Sequence, residues 1–306
     1  MRPVLDEVPD GAHVAIIRLR SLGDCVLSTP AISLLKNARP DLRIAVVADS
    51  VWAAVYERNP DLSAVLNPSL KELRTWKPHL VLNLHGGTTS AKLTALSGAR
   101  WRTGFSHFRH RFIYNLHIPR AQEILHVTRT VHTAEHAASA VFALGVPVQE
   151  IPRARVFADA PPPARQAYAV IHAVASEPAK IWPADRFLTF ASFLQQELGL
   201  KPVFVGAPGD HLRAFQAFQI AQGLSLAETK NLISGASLFF GNDSGPAHLA
   251  AAFGVPSTVL FGPSDAAIWG PWRTSSNVLQ AKPISEISVT QAMEAVGQLV
   301  TAGARS

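Results

Sequence analysis

A chain of 306 residues with 48% hydrophobic content is long enough for two domains and too apolar to stay disordered. Its formal net charge of +6 points to an anionic partner, and its single cysteine, Cys25, excludes an intrachain disulfide framework and suits a reducing compartment. Residues 1–12 lack the basic-then-apolar pattern of a secretory signal, and no apolar run approaches the roughly 20 residues that span a bilayer, so a cytoplasmic location is expected, with any membrane met peripherally.

Short apolar runs alternate with amphipathic stretches along the first half of the chain. His13–Leu19 reads as a buried strand, with helix developing over Thr29–Asn37; Arg43–Ala48 reads as the next strand, followed by helical Ser50–Arg58. His79–Leu84 and Arg100–Phe105 are further strands, with helices over Thr88–Ser97 and Val131–Leu144. The rhythm stops at Ala158–Gln166, where Pro161, Pro162 and Pro163 impose a stiff, extended segment. It restarts with strand Ala167–His172, helix Ala184–Leu198 and strand Pro202–Gly206. A short strand over Ala217–Ala221, helix Leu226–Gly235, strand Ser237–Gly241, helix Gly245–Phe253 and strand Ser257–Phe261 follow. Repeated βα units imply parallel sheets covered by helices. The expected architecture is α/β: two Rossmann-like domains, 1–160 and 161–288, facing across a cleft, with a terminal helix in 289–306 that returns to the first.

Open parallel sheets bind ligands outside the carboxyl ends of their strands, so the strand-to-helix loops are where chemistry belongs. The first is Arg20-Ser-Leu-Gly-Asp24, opening a helix with Pro30 near its first turn; Asp24 serves there either as helix cap or as a general base facing the cleft. The second runs from His172 to Pro183. In it Lys180 is either a solvated surface lysine or a point charge for a diphosphate, and Trp182 is read as packing rather than base-stacking. The third, Gly241-Asn-Asp243-Ser244-Gly245-Pro-Ala-His248, brings two acidic or hydroxylic side chains to free amides at a helix start, an anion site. His248 one turn in is a ligand to phosphate or sugar, or a packing residue. A fourth loop, Phe261-Gly-Pro-Ser-Asp265, shapes a neighbouring wall.

Arg100, Arg102, Arg109 and Arg111 are interleaved with Trp101, Phe105, Phe108 and Phe112, which suits an acidic acceptor or an ordinary solvated face. Motifs for a nucleoside triphosphatase, a dinucleotide oxidoreductase and a serine hydrolase are missing, as are Asp-x-Asp pairs and His/Cys clusters, so no metal site is expected.

Together the segments Ile17–Asp24 with Thr29-Pro30-Ala31, His172–Pro183, Gly241–Gly254 and Phe261-Gly262-Pro263 resemble glycosyltransferase family 9, the ADP-heptose:lipopolysaccharide heptosyltransferases. The resemblance implies a GT-B fold and inverting transfer, with the acceptor held by the first lobe and the nucleotide sugar by the second. Asp24 then looks like the catalytic base, and Ser176, Lys180, Asp243, Ser244, Gly245 and His248 like donor contacts. The implied partners are ADP-heptose and an anionic glycolipid or glycan acceptor, with peripheral contact at the inner membrane, no nucleic acid and no required cofactor. The chain departs from the family at His172-Ala-Val-Ala-Ser176, where relatives usually carry His-Pro-Gly-Ala-Ser, and in the short span between Gly206 and Glu228. A sugar-nucleotide epimerase and a non-enzymatic basic module for nucleic acid or anionic membrane are the competing readings.

Overall fold

The computed structural model describes residues 3–159 and 166–303; the Pro161–Pro163 segment lies outside the described residues. The chain divides into two units, Met1–Phe157 and Ala158–Ser306.

The first unit runs α1 (Val4–Glu7), β1 (His13–Ile17), α2 (Leu22–Ala38), β2 (Arg43–Val47), β3 (Ala64–Leu66), α3 (Leu70–Trp76), β4 (Leu80–Asn83), α4 (Thr88–Leu96), β5 (Trp101–Phe105), β6 (Leu116–Ile118), α5 (Ala121–Leu125) and α6 (Thr133–Leu144). Its six strands are parallel, in the order β3-β2-β1-β4-β5-β6. β1, β2 and β4 are buried at nearly every position because helices cover both faces, which is why they read as unbroken apolar runs. Helix α2 begins at Leu22, seven residues before the expected Thr29, so Pro30 lies in its interior rather than near its first turn. Proline has no N–H for the carbonyl of Val26. Thr29 Oγ1 donates to that carbonyl instead, at 2.8 Å, and the helix continues.

The second unit runs β7 (Tyr168–His172), α7 (Ala184–Gln196), β8 (Lys201–Gly206), β9 (Gln219–Gln222), α8 (Leu226–Ser234), β10 (Leu238–Asn242), α9 (Gly245–Phe253), β11 (Ser257–Phe261), α10 (Ala266–Trp269), β12 (Ser276–Gln280) and α11 (Val289–Gly303). Its strands are again parallel, in the order β12-β11-β10-β7-β8-β9. Counted from its own first strand, this is the 3-2-1-4-5-6 order of the first unit and of the Rossmann fold. The core is aromatic, built on Trp182, Phe187, Phe190, Phe204 and Phe240. Helix α11 buries Ala292, Val296 and Leu299 in that core and packs against α7, β11 and β12. The expected return of the terminal helix to the first unit therefore gives way to membership of the second, because its apolar face is used there. Among the described residues no helix is long and apolar enough to cross a membrane.

Candidate active site

In an open sheet of this order the crevice opens where the chain reverses direction, between the first and fourth strands. In the first unit that point lies between β1 and β4, and Asp24 stands beside it. The structure shows this aspartate in the capping role read from the sequence. It occupies the third position of α2, where Ser21 donates to its Oδ2 from the backbone N–H at 3.3 Å and from the hydroxyl at 3.1 Å. Its other oxygen, Oδ1, is ion-paired with Arg18, whose second terminal nitrogen donates to the carbonyl of Leu84 at 2.6 Å. Burial draws the Arg18 guanidinium below its ordinary value, and it remains a cation at neutral pH. Arg18 appears in the sequence motif but carries no assigned chemistry there; only the meeting of β1 with the end of β4 shows what it touches.

The loop after β4 is shaped by Asn83, whose Oδ1 accepts the N–H groups of His85 and Gly86, each at 3.0 Å. Nearby, His136 stacks on Phe105 with ring centroids 4.0 Å apart and meets His107 edge-on at 5.7 Å. Burial, together with the charges of His107 and Arg18, pushes the His136 imidazole down to about 4, so it is neutral at physiological pH. These histidines come from three separate stretches of chain, and no spacing rule in the sequence groups them.

Of the four arginines proposed for an acceptor, Arg100 and Arg102 already have protein partners. Arg100 and Arg102 lie at the amino end of β5: Arg100 is 3.7 Å from Glu7, and Arg102 hydrogen-bonds the carbonyls of Ile113 and Ala99. Arg109 and Arg111 are exposed in the loop that leaves the carboxyl end of that strand. The neighbouring His110 there shares a hydrogen bond with Thr88 at 3.2 Å. That loop runs back toward the amino end of β5, where the Ile113 carbonyl, two residues past Arg111, accepts from Arg102 at 3.2 Å.

The second unit repeats the geometry between β7 and β10. Gly241 pairs with His172 in the ladder, and a Cβ on it would meet the His172 carbonyl oxygen at 2.5 Å; only glycine lets the two strand ends close here. Asn242 Oδ1 accepts the Trp182 N–H at 3.1 Å and ties the second loop to the third. Asp243 Oδ2 then receives Lys180 Nζ at 3.4 Å and the hydroxyl of Ser264 at 2.6 Å. Ser264 belongs to the fourth loop, to which the sequence attached little weight, and its carbonyl is held by Gln280 at 2.7 Å. Ser244 precedes α9 but does not cap it with its side chain; its hydroxyl meets His172 Nδ1 at 2.9 Å. Desolvation holds the His172 imidazole down at about 4, so it is the neutral partner in that bond.

Gly245 opens α9, Pro246 has no N–H, Ala247 donates its own to the Ser244 carbonyl at 3.1 Å, and His248 is buried one turn further on. Trp182 is fully buried, donates to the Ile287 carbonyl at 2.8 Å and packs edge-on against Phe187 and Phe240, so it is a core residue as expected. Ser176 is exposed on the loop between β7 and the turn that carries Lys180. Lys180, Asp243, Ser244 and the start of α9 are thus gathered at one sheet edge. Among the described residues no group of three or more His, Cys, Asp or Glu side chains is placed to hold a metal ion.

Two Rossmann-like units of identical strand order, each with a carboxylate beside a cation at its switch point, make up a fold of the GT-B class. More particularly, residues 69–295 match the model of glycosyltransferase family 9 (heptosyltransferase), and the chain belongs to that family. It is 26% identical over 304 residues to lipopolysaccharide heptosyltransferase 3 of Escherichia coli K12, covering 86% of this chain and 85% of that one. The fold is similar to the family 9 glycosyl transferase of Veillonella parvula, with a TM-score of 0.84 at 24% identity over 96% of this chain and 98% of that one. It is also similar to the E. coli ADP-heptose heptosyltransferase II, with a TM-score of 0.80 at 19% identity over 95% and 99%.

Proposed function

We propose that this chain is an inverting heptosyltransferase that moves heptose from ADP-heptose to a lipopolysaccharide core or related anionic glycan, with the donor bound by the second unit and the acceptor by the first. The observation that carries the reading is the donor edge of the second unit. There Lys180, held by Asp243, stands beside the N-terminus of α9. A lysine point charge and a helix N-terminus together suit the two phosphates of a nucleoside diphosphate. Family membership and the name of the E. coli relative supply the sugar and the acceptor class.

In the proposed reaction the Asp24 carboxylate takes the proton of an acceptor hydroxyl as that oxygen attacks the anomeric carbon from the face opposite the diphosphate. The bond from the anomeric carbon to the diphosphate breaks, ADP leaves, and the configuration inverts. Lys180 and the α9 N-terminus offset the charge growing on the departing phosphate, so the chain's own residues meet the electrostatic demand and no resident cofactor is needed. Asp243, Ser244, Ser176 and His248 orient the donor. Arg100, Arg102, Arg109 and Arg111 supply the positive charge that meets an anionic acceptor. The basic surface suits a cytoplasmic enzyme meeting the inner membrane peripherally.

The test is transfer of heptose from ADP-heptose to heptose-free lipopolysaccharide core, run beside a thermal-shift titration with ADP-heptose. D24N is expected to lose turnover by about 10³-fold or more while keeping its donor-induced stabilisation. Turnover retained in D24N removes Asp24 as the base, and stabilisation by UDP- or GDP-sugars rather than ADP-heptose removes the assigned donor.

A further inference from the structure

The Asp24 carboxylate has a hydrogen-bond inventory that distinguishes its two oxygens. An ionised carboxylate offers about four lone-pair sites, two on each oxygen. Both sites on Oδ2 are occupied, one by the Ser21 N–H at 3.3 Å and one by the Ser21 hydroxyl at 3.1 Å. Oδ1 receives only the Arg18 guanidinium. One lone pair on Oδ1 is therefore left for an incoming hydroxyl.

The cation on Oδ1 is itself fixed. Its side chain is 15% exposed, and its other terminal nitrogen donates to the Leu84 carbonyl at 2.6 Å, just past the end of β4. Arg18 follows β1, so one guanidinium joins the ends of the two strands that bound the switch point of this sheet. A planar fork held at two ends orients the carboxylate it grips more strictly than an ammonium on a flexible stem does. A cap alone would leave the rotation of Asp24 to the Ser21 bonds, which are long.

We infer that Arg18 is a positioning residue for the transfer reaction, clamping Asp24 between the ends of β1 and β4 so that Oδ1 is the atom that takes the acceptor proton. This rests on the reading of Asp24 as the base. In the step, the acceptor O–H bond breaks, its proton passes to Oδ1, and the Arg18 guanidinium remains charged and bonded to Leu84 throughout.

The experiment measures kcat, donor and acceptor KM, and melting temperature for the unaltered chain, R18K, R18M, R18A, D24N and R18M/D24N, using ADP-heptose and heptose-free lipopolysaccharide core. R18M is expected to lose about 100-fold in kcat, the scale of a small misplacement of a reacting group, with donor KM within about twofold. R18K should lose roughly tenfold, because it restores charge without the fork. Millimolar guanidinium should raise the kcat of R18A severalfold and leave D24N unchanged, a response that a purely structural arginine does not give. R18M/D24N should be no slower than D24N, since both changes disable one device.

Should R18M melt far below the unaltered chain, R18K and the guanidinium response decide. R18K and R18M at full kcat beside an inactive D24N overturn the role of Arg18 and leave the base standing. An active D24N overturns the base itself, and no transfer by the unaltered chain overturns the function; either result takes this inference with it.

Discussion

Asp24 and Asp243 stand at the switch points of two sheets of identical strand order, Asp24 after the first strand and Asp243 after the fourth, and they are held by different means. Asp24 takes its serine and its arginine from the same strand-to-helix turn, and only the Leu84 carbonyl that steadies the arginine comes from elsewhere. Asp243 takes its lysine from 63 residues upstream and its serine from 21 residues downstream. The first carboxylate is thus a local cassette that forms when one helix forms. The second exists only when three loops of a folded sheet meet. A local cassette suits a group that must keep one orientation, and an assembled one suits a group whose surroundings must match a particular ligand.

That contrast yields measurements that separate the two acids. The largest effect in the second unit is expected at Lys180: K180M should lower kcat for heptose transfer by about 10²- to 10³-fold through lost stabilisation of the leaving phosphate. A loss confined to donor KM would assign the lysine to ground-state binding instead. A smaller effect is expected from S264A, which removes a hydrogen bond to a carboxylate and should cost roughly tenfold in kcat/KM for the donor, with S264T restoring most of it. Equal losses in S264A and S264T would mean that the fourth loop shapes the site by packing alone.

The smallest effect is on stability. His172 is held near 4 when folded and returns to an ordinary value near 6.5 when unfolded, so the unfolded chain binds the extra proton between those limits. Its contribution is fully present above about pH 6.5 and is lost as pH falls toward 4, on the order of 3 kcal/mol across the window. Urea unfolding at pH 7, 5.5 and 4 should show this decline for the unaltered chain and a shallower one for H172Q. Parallel declines would place the acid sensitivity elsewhere, with His136 in the first unit as the next group to vary.

Much of the fold is legible in the sequence because fully buried parallel strands are apolar runs, and β1, β2, β4, β7, β10 and β11 were all visible that way. The strands that escaped notice, β3, β6 and β12, are three to five residues long and mostly half exposed at sheet edges. Such segments carry no run and no clean alternation. The start of α2 was displaced by Pro30, which a first-turn rule places too early; the hydroxyl of Thr29 makes a proline tolerable inside the helix. Arg100 and Arg102 read as free basic residues because the sequence does not show that Glu7 and the Ala99 and Ile113 carbonyls engage them.

The sequence by itself determined which strand-to-helix loops stand at the switch points of the two sheets. Glycine, aspartate, serine and lysine between a buried strand and a helix have few other uses, and their order along the chain is that of glycosyltransferase family 9. It could not determine what each functional group touches. The anchoring of Arg18 at Leu84 and the hydroxyl of Ser264 on Asp243 depend on which strand ends lie side by side. That adjacency is set when β4 inserts beside β1 and β10 beside β7, through burial of whole sheet faces rather than through any local preference of the residues concerned.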